Sequence, residues 1–364
     1  MFFMNRIIGF VIFFSIFVFI YLGLHFYVFV RLANLFDIRI NILFYTIMLA
    51  FASSFVLSSI LVRFFTNIFT RIFYAISAAW LGVLFLLFCT LILYEISRLF
   101  MKLDPKTAGI IILIIVLILS SIGIINFFFV KINTVNISFA EKDVKKDIKI
   151  VQLSDVHVGT IRNSEYLTKI VQKVNEQKPD LVLITGDLVD GSGPISDEMF
   201  APLKDIKAPT YFTAGNHEFY EGINESTNLI SKTGIIVLRD QVVEVKGIQL
   251  IGVDYSTKER SYLKEILPTL KLNKSKPTIL MYHTPTELKE ANKARVDLQL
   301  SGHTHFGQVF PFTIFVKMVY PNIKGLYQYN QTYLYVSQGT GTWGPPMRLG
   351  SSNEITVINI LKSK

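Results

Sequence analysis

Cysteine is nearly absent from this chain of 364 residues: Cys89 stands alone, inside an apolar run. No intrachain disulfide is possible, and cysteine chemistry is not the function. Charge is scarce in the first third, where only eight of the 36 basic and three of the 27 acidic residues precede residue 131. The net charge of +9 therefore divides into +5 there and +4 beyond, too diffuse for a nucleic-acid footprint, and no nucleic-acid partner is expected. Repeats of solenoid period are missing, as are low-complexity tracts outside the apolar blocks. Histidine is also rare, with six in the chain, and where they stand becomes informative below.

What fills the uncharged third is Phe, Ile, Leu and Val in four blocks, near Ile7–Val30, Ile42–Val62, Ile72–Tyr94 and Ala108–Val130. Each reaches the roughly 20 apolar residues that a helix needs to cross a bilayer core. Arg31, Arg39, Arg63, Arg71, Arg98, Lys102 and Lys106 mark their boundaries, as expected where spans leave the membrane. A cleaved signal peptide does not account for the first block, because no small-residue cleavage site follows and three more blocks do. Residues 1–130 are thus expected to be a transmembrane region, in contact with the lipid bilayer. Loop charges nearly balance across the two sides, so the positive-inside rule leaves the orientation undecided. His25, among Leu24, Phe26 and Tyr27, reads as a packed or interfacial histidine; Glu95 reads as a boundary residue.

From Lys131 to Asp147 the chain turns polar, a linker with room for one edge strand. A compact domain is expected over residues 148–364. Strand-length apolar runs, "IKIVQLS", "LVLITG", "TYFTAG", "IQLIGVD", "TILMYH" and "LQLSG", alternate with the helical patterns "SEYLTKIVQKVNEQK" and "ERSYLKEILPTL". That alternation predicts an α/β domain with buried sheets. The strands "QTYLYVSQG" and "EITVINI", separated by the loop "GTGTWGPPMRLGSS", predict an all-strand layer at the end.

Most of these strands end on a potential metal ligand. "VQLSDVHVG" supplies Asp155 and His157, "LVLITGDLVD" Asp187 and Asp190, and "YFTAGNHEF" Asn216, His217 and Glu218. "TILMYH" supplies His283, and "LQLSGHTHFG" His303 and His305; five of the six histidines fall in this set. In open α/β sheets, ligands bind beyond the carboxyl ends of strands, so residues 150 positions apart can meet at one edge. The one-residue gaps in Asp155/His157 and His303/His305 suit an extended segment with both side chains on one face. Carboxylate, imidazole and amide donors without thiolate suit Mn, Fe, Zn, Ni or Co. So many donors exceed one tetrahedral zinc, and two ions sharing a carboxylate is the economical arrangement.

The ordered set D-x-H, G-D-x-x-D, G-N-H-E, a lone H and G-H-x-H resembles the calcineurin-like metallophosphoesterase superfamily over about Ile148–Ile360. "GHTHFGQ" with the late "GPPMRLGSSNEITVI" is similar to its bacterial membrane-bound or exported phosphodiesterases, with Phe306 where that branch more often has glycine. The resemblance implies two packed mixed sheets flanked by helices. It implies Asp155, His157 and His305 on one metal, Asn216, His283 and His303 on the other, and Asp187 bridging. It further implies His217 as the acid at the leaving oxygen, with Asp190 orienting it, and hydrolysis of a phosphodiester, phosphomonoester or pyrophosphate by a hydroxide between two divalent ions, manganese favoured.

Arg348 is a candidate for binding substrate phosphate, with a local structural role as the alternative. Asp254 and Tyr255 are expected to border the cleft, and Trp343 to form an apolar lip for a lipid. Tethering at a bilayer favours a lipid-linked substrate, with soluble nucleotides still open. Exported relatives point to an extracytoplasmic domain. The alternative is a regulatory phosphate-binding domain on a four-span sensor or transporter. Nothing in the sequence sets the oligomeric state.

Overall fold

The computed structural model describes residues 2–139, 142, 144–256 and 262–362. Four helices lead the chain: α1 (Phe2–Leu35), α2 (Ile42–Phe64), α3 (Ile68–Ser97) and α4 (Pro105–Phe127). Asn41 caps α2 by accepting the Phe44 N–H, and Asn67 caps α3 by accepting those of Phe69 and Thr70, filling orphan donors of the first turn. Their apolar stretches run 21 to 30 residues, long enough to cross a bilayer, which makes this a multi-pass membrane protein. His25 is buried; its Nδ1 meets the Tyr21 carbonyl at 2.9 Å and its Nε2 accepts the Trp80 indole N–H at 3.2 Å, the pattern of a neutral, satisfied ring. Glu95 pairs with Arg31 and Arg98.

By internal contacts the chain divides into Met1–Gly123 with Gly344–Pro346, and Ile124–Trp343 with Met347–Lys364. The second unit contains two six-stranded mixed sheets. The first sheet holds β1 (Val130–Ile137), β2 (Ile148–Leu153), β3 (Leu181–Thr185), β4 (Thr210–Thr213), β5 (Ile236–Val237) and β12 (Asn353–Ile360), in the order β1-β12-β2-β3-β4-β5. The second holds β6 (Gln241–Val245), β7 (Ile248–Val253), β8 (Thr278–Tyr282), β9 (Leu298–Ser301), β10 (Gly325–Tyr329) and β11 (Thr332–Val336), in the order β10-β11-β9-β8-β7-β6. Strands β2 to β5 run parallel, as do β7, β8, β9 and β11. The helices of this unit are α5 (Ser164–Glu176), α6 (Asp197–Phe200), α7 (Asn216–Glu221), α8 (Ile223–Ser231), α9 (Tyr262–Ile266), α10 (Leu288–Lys293) and α11 (Phe312–Val319).

Parallel strands covered on both faces read as near-continuous apolar runs; β3 and β8 do, each with one terminal threonine, while β2 is interrupted by Lys149 and Gln152 and β7 by Gln249. Ile150, Leu181, Leu183, Leu250, Ile279, Met281 and Leu298 meet between the sheets. Their neighbours Val151, Leu153, Val182 and Ile184 point the other way, onto Leu167, Ile170 and Val174 of α5 and Ile230 of α8. On the far side Ile251, Val253, Leu280 and Tyr282 pack on Leu263 of α9 and Ala291 of α10. The result is four layers. Asn163 starts α5 by accepting the Tyr166 N–H, and the buried Leu167, Ile170, Val171 and Val174 contribute ~1.5–3 kcal/mol each.

Three details depart from the sequence pattern. The fourth span stops at Phe127, and Val130 opens β1, an edge strand paired in parallel with β12. The helical pattern at 259–270 yields the short α9 and a 3-10 turn, because Pro268 cannot continue a helix; residues 257–261 lie outside the described ones. The last two strands do not form one layer, since β11 joins β9 and β12 joins β2.

Candidate metal centre

Strands β2, β3, β4, β8 and β9, drawn from both sheets, end at one edge, and the loops leaving them carry the polar residues singled out above. Two close approaches there require glycine. A Cβ on Gly302 would lie 2.0 Å from Ser154 Oγ and 2.1 Å from Asp155 Oδ2; one on Gly215 would lie 2.3 Å from Asp187 Oδ1.

Asp155, His157 and His305 converge in one group, and Asp187, His283 and His303 in another; Asp187 also lies with His157 and His217. In the first group His157 Nε2 stands 3.0 Å from His305 Nε2, which is 3.3 Å from Asp155 Oδ1. In the second, His283 Nε2 is 3.1 Å from Asp187 Oδ2 and 3.2 Å from His303 Nδ1. Asn216 is buried beside them, its Oδ1 without a hydrogen-bond partner. The structure thus brings together six of the seven residues read as ligands, with Asn216 next in the chain to His217, whose N–H donates to Asp187 Oδ1; a basin of ring nitrogens and carboxylate oxygens with an orphaned amide oxygen fits a pair of divalent cations.

How the pairs converge differs from the extended geometry that the one-residue gaps suggest. Asp155, His157, Asp187, His303 and His305 all adopt left-handed backbone, with φ between 48° and 70°, a conformation that costs free energy in non-glycine residues and concentrates at functional sites. His303 and His305 consequently point into different groups.

Three of the histidines have an outer ring nitrogen tied down. His283 Nδ1 donates to the Thr185 carbonyl at 2.8 Å, which turns its Nε2 inward. His303 Nε2 meets the Tyr320 hydroxyl at 3.0 Å, leaving Nδ1 for the basin. His217 Nδ1 donates to the main-chain carbonyl of Asp190 at 2.7 Å, and its Nε2 lies 4.0 Å from Asp187 Oδ2. Asp190 therefore orients His217 through its backbone; its carboxylate instead stands 3.6 Å from His157 Nδ1.

Burial opposes the charge on Asp155, but His305 and His283 beside it prevail and hold the carboxyl below its usual range. Burial, then His217 and His305, keep His157 well below the usual imidazole value, and burial with His283 pushes His303 down to about 4. His283 is the exception: burial pulls it down, yet Asp187 and Asp155 push it up to about 10. For His217, too, burial is outweighed by Asp187 and by the Asp190 carbonyl, and the net shift is upward.

Two residues act differently from what their sequence context conveys. Arg348 is fully buried, with its donors on Asn353, Ser351 and the carbonyls of His305 and Gly341, and with Nη2 3.2 Å from His305 Nδ1. It sits behind His305 with no donor left for a substrate phosphate, which corrects the phosphate-binding expectation. Glu218 is fully buried and accepts three backbone N–H groups, from Gly215 at 2.8 Å and from Asp187 and Val189 at 3.0 Å. It clamps the β3 and β4 loops together; the only signal for this is its place in "GNHE". Beside the basin, Tyr255 and Tyr220 line a pocket of about 490 Å³ with Asp254 and Arg239, which pair at 2.7 Å. Trp343 is half exposed.

A sequence profile of the calcineurin-like phosphoesterase family matches residues 148–307. An uncharacterized metallophosphoesterase of Helicobacter pylori is 39% identical over 223 residues, 59% of this chain and 60% of that one. This chain thus spans less than two thirds of that relative's length. One from Aquifex aeolicus is 32% identical over 256 residues, 68% of this chain and 97% of the relative. A Bos taurus transmembrane protein with a metallophosphoesterase domain is 36% identical over 232 residues, 57% of this chain and 52% of that one.

Proposed function

The chain belongs to the calcineurin-like metallophosphoesterases, and on that premise we propose that it is a membrane-anchored hydrolase of a lipid-linked phosphodiester, phosphomonoester or pyrophosphate. The observation that carries this reading is the convergence of Asp155, His157 and His305 in one donor group and of Asp187, His283 and His303 in another. In it, Asp155, His157 and His305 would hold one divalent cation and Asn216, His283 and His303 a second, with Asp187 shared between them. These mixed donors accept several divalent ions, and manganese is the one that the family resemblance favours. When bound, such a pair supplies Lewis acidity for phosphoryl oxygens and ionised water at neutral pH.

The chain's own residues do the rest. His217 keeps Nδ1 on the Asp190 carbonyl and turns Nε2 to the basin, where it hands a proton to the leaving oxygen. Tyr320 and Thr185 fix the rings of His303 and His283. The membrane spans favour a substrate that shares the bilayer, because tethering raises its local concentration. The similarity to exported phosphodiesterases supports an extracytoplasmic domain; a reporter fused after Lys364 that is active only in the cytoplasm would reverse that assignment.

The test is hydrolysis of bis(p-nitrophenyl) phosphate and p-nitrophenyl phosphate by the full chain in detergent, with Mn²⁺ or chelator, beside Asp187→Asn. Metal-dependent cleavage that the variant loses supports the reading and opens a screen of lipid-linked phosphoesters. Folded, metal-loaded protein that cleaves neither these compounds nor lipid phosphoesters would make the basin a phosphate-binding module instead.

A further inference from the structure

Helix α11, which follows the loop of His303 and His305, carries apolar side chains that the catalytic domain does not use. None of its eight residues is buried. Phe312, Ile314, Phe315, Met318 and Val319 are 44%, 55%, 55%, 79% and 61% exposed, and Phe310 just before them is 54% exposed. Thr313 ties the helix down: its Oγ1 donates to the Phe306 carbonyl at 3.0 Å. At helical spacing the five exposed apolar residues all fall on the half of α11 opposite Thr313.

Trp343, 51% exposed, belongs to the same surface. Its carbonyl accepts from Gln308 Nε2 at 2.9 Å, and its N–H donates to Gln308 Oε1 at 3.3 Å, four residues before α11. The 56 residues between Asp297 and Glu354 contain no acidic residue. They do contain Lys317, on the helix, and Lys324, whose Nζ lies 4.2 Å from the centre of the Phe306 ring.

Aromatic and aliphatic side chains beside lysines, in a stretch of sequence without a carboxylate, match the interface of a bilayer with anionic headgroups. The occupant is at hand, since only Phe128 and Phe129 separate α4 from β1 in the chain, and a short tether keeps the bilayer at high local concentration. At its end α11 runs into Tyr320, whose hydroxyl contacts His303, so this surface borders the metal basin. We propose that α11, with Phe310 and Trp343, is an interfacial helix that lies among lipid headgroups and presents the rim of the basin to phosphates at the lipid–water boundary.

The test uses the full chain with Cys89→Ser in lipid nanodiscs, a fluorophore on Met318→Cys, and acyl chains brominated near the headgroup as quenchers. A label on Lys169→Cys of α5 is the reference. Quenching at 318 at least threefold stronger than at 169, and stronger still with phosphatidylglycerol, is expected. Equal quenching at both positions, in protein with a wild-type melting profile, overturns the proposal. Shielding of 318 from iodide that depends on protein concentration and not on lipid assigns the surface to a second copy, and overturns it as well. The readout involves no turnover, so it stands apart from the reading of the basin as a hydrolase.

Discussion

Replacing Glu218 tests whether one buried carboxylate holds the two loops on which Asp187 and Asn216 stand. Oε2 accepts the N–H groups of Asp187 and Gly215, and Oε1 that of Val189. Alanine strands all three donors at about 1–3 kcal/mol each, or ~3–9 kcal/mol before any relaxation. Water entering the vacated space restores part of this, so the expected net loss is about 3 kcal/mol. For a domain of this size that is ~6–12 °C in melting temperature. Glutamine with its oxygen at the Oε2 position keeps two bonds and sets an amide N–H against Val189, a loss of ~1–3 kcal/mol. Burial, followed by Asp187, pushes Glu218 up to about 7, so the assay belongs at pH 8 to 8.5, where the carboxylate is ionised. Circular-dichroism melts of the full chain in detergent should rank wild type above Glu218→Gln above Glu218→Ala. The Mn²⁺ needed for half-maximal diester hydrolysis should rise about 10- to 100-fold. An alanine variant that melts within about 2 °C of wild type, at unchanged Mn²⁺ demand, refutes the clamp.

Gly302→Ala places a methyl against Ser154 Oγ and Asp155 Oδ2; a shift of Asp155 by about 1 Å should cut turnover ~100-fold, and full activity in a folded variant would show that the loop yields. Arg348→Met strands the carbonyls of His305 and Gly341, so melting should fall and Mn²⁺ demand rise at unchanged substrate KM; a rise in KM alone would restore the phosphate-binding role. For Asp254, burial outweighs the Arg239 guanidinium and pushes the carboxyl up to about 6, above the ~3.9 of an unfolded chain. The folded state then binds the extra proton, so this group's contribution to stability is full below pH ~4 and lost as pH rises to ~6. Asp254→Asn should therefore gain on wild type across that window, by at most about 3 kcal/mol, in melts between pH 4.5 and 6.5; a constant difference would show that Asp254 ionises at its ordinary pKa.

Composition settles the broad division of this molecule, because an uncharged block of 20 or more apolar residues has few stable outcomes other than a spanning helix. Strand identity is equally legible: β3 and β8 are buried on both faces, so their sequences are apolar but for a terminal threonine. That the candidate ligands stand at strand ends was visible as well, since each apolar run stops at its Asp, Asn or His. What each residue does beyond that depended on contacts between distant segments. Asp190 reaches His217 by its carbonyl, an atom every residue has, so no residue type reports it. Arg348 looks the same in sequence whether it faces a phosphate or the back of His305, 43 positions away. The left-handed turns at Asp155, His157, Asp187, His303 and His305 are strained positions that surrounding packing enforces against local preference. The spans, the layered α/β scaffold and the donor types follow from local hydrophobicity and side-chain chemistry, and so are written in the order of residues alone. Which donors face one another is fixed by how two separate sheets bring their strand ends to one edge, a matter of packing between segments far apart in the chain.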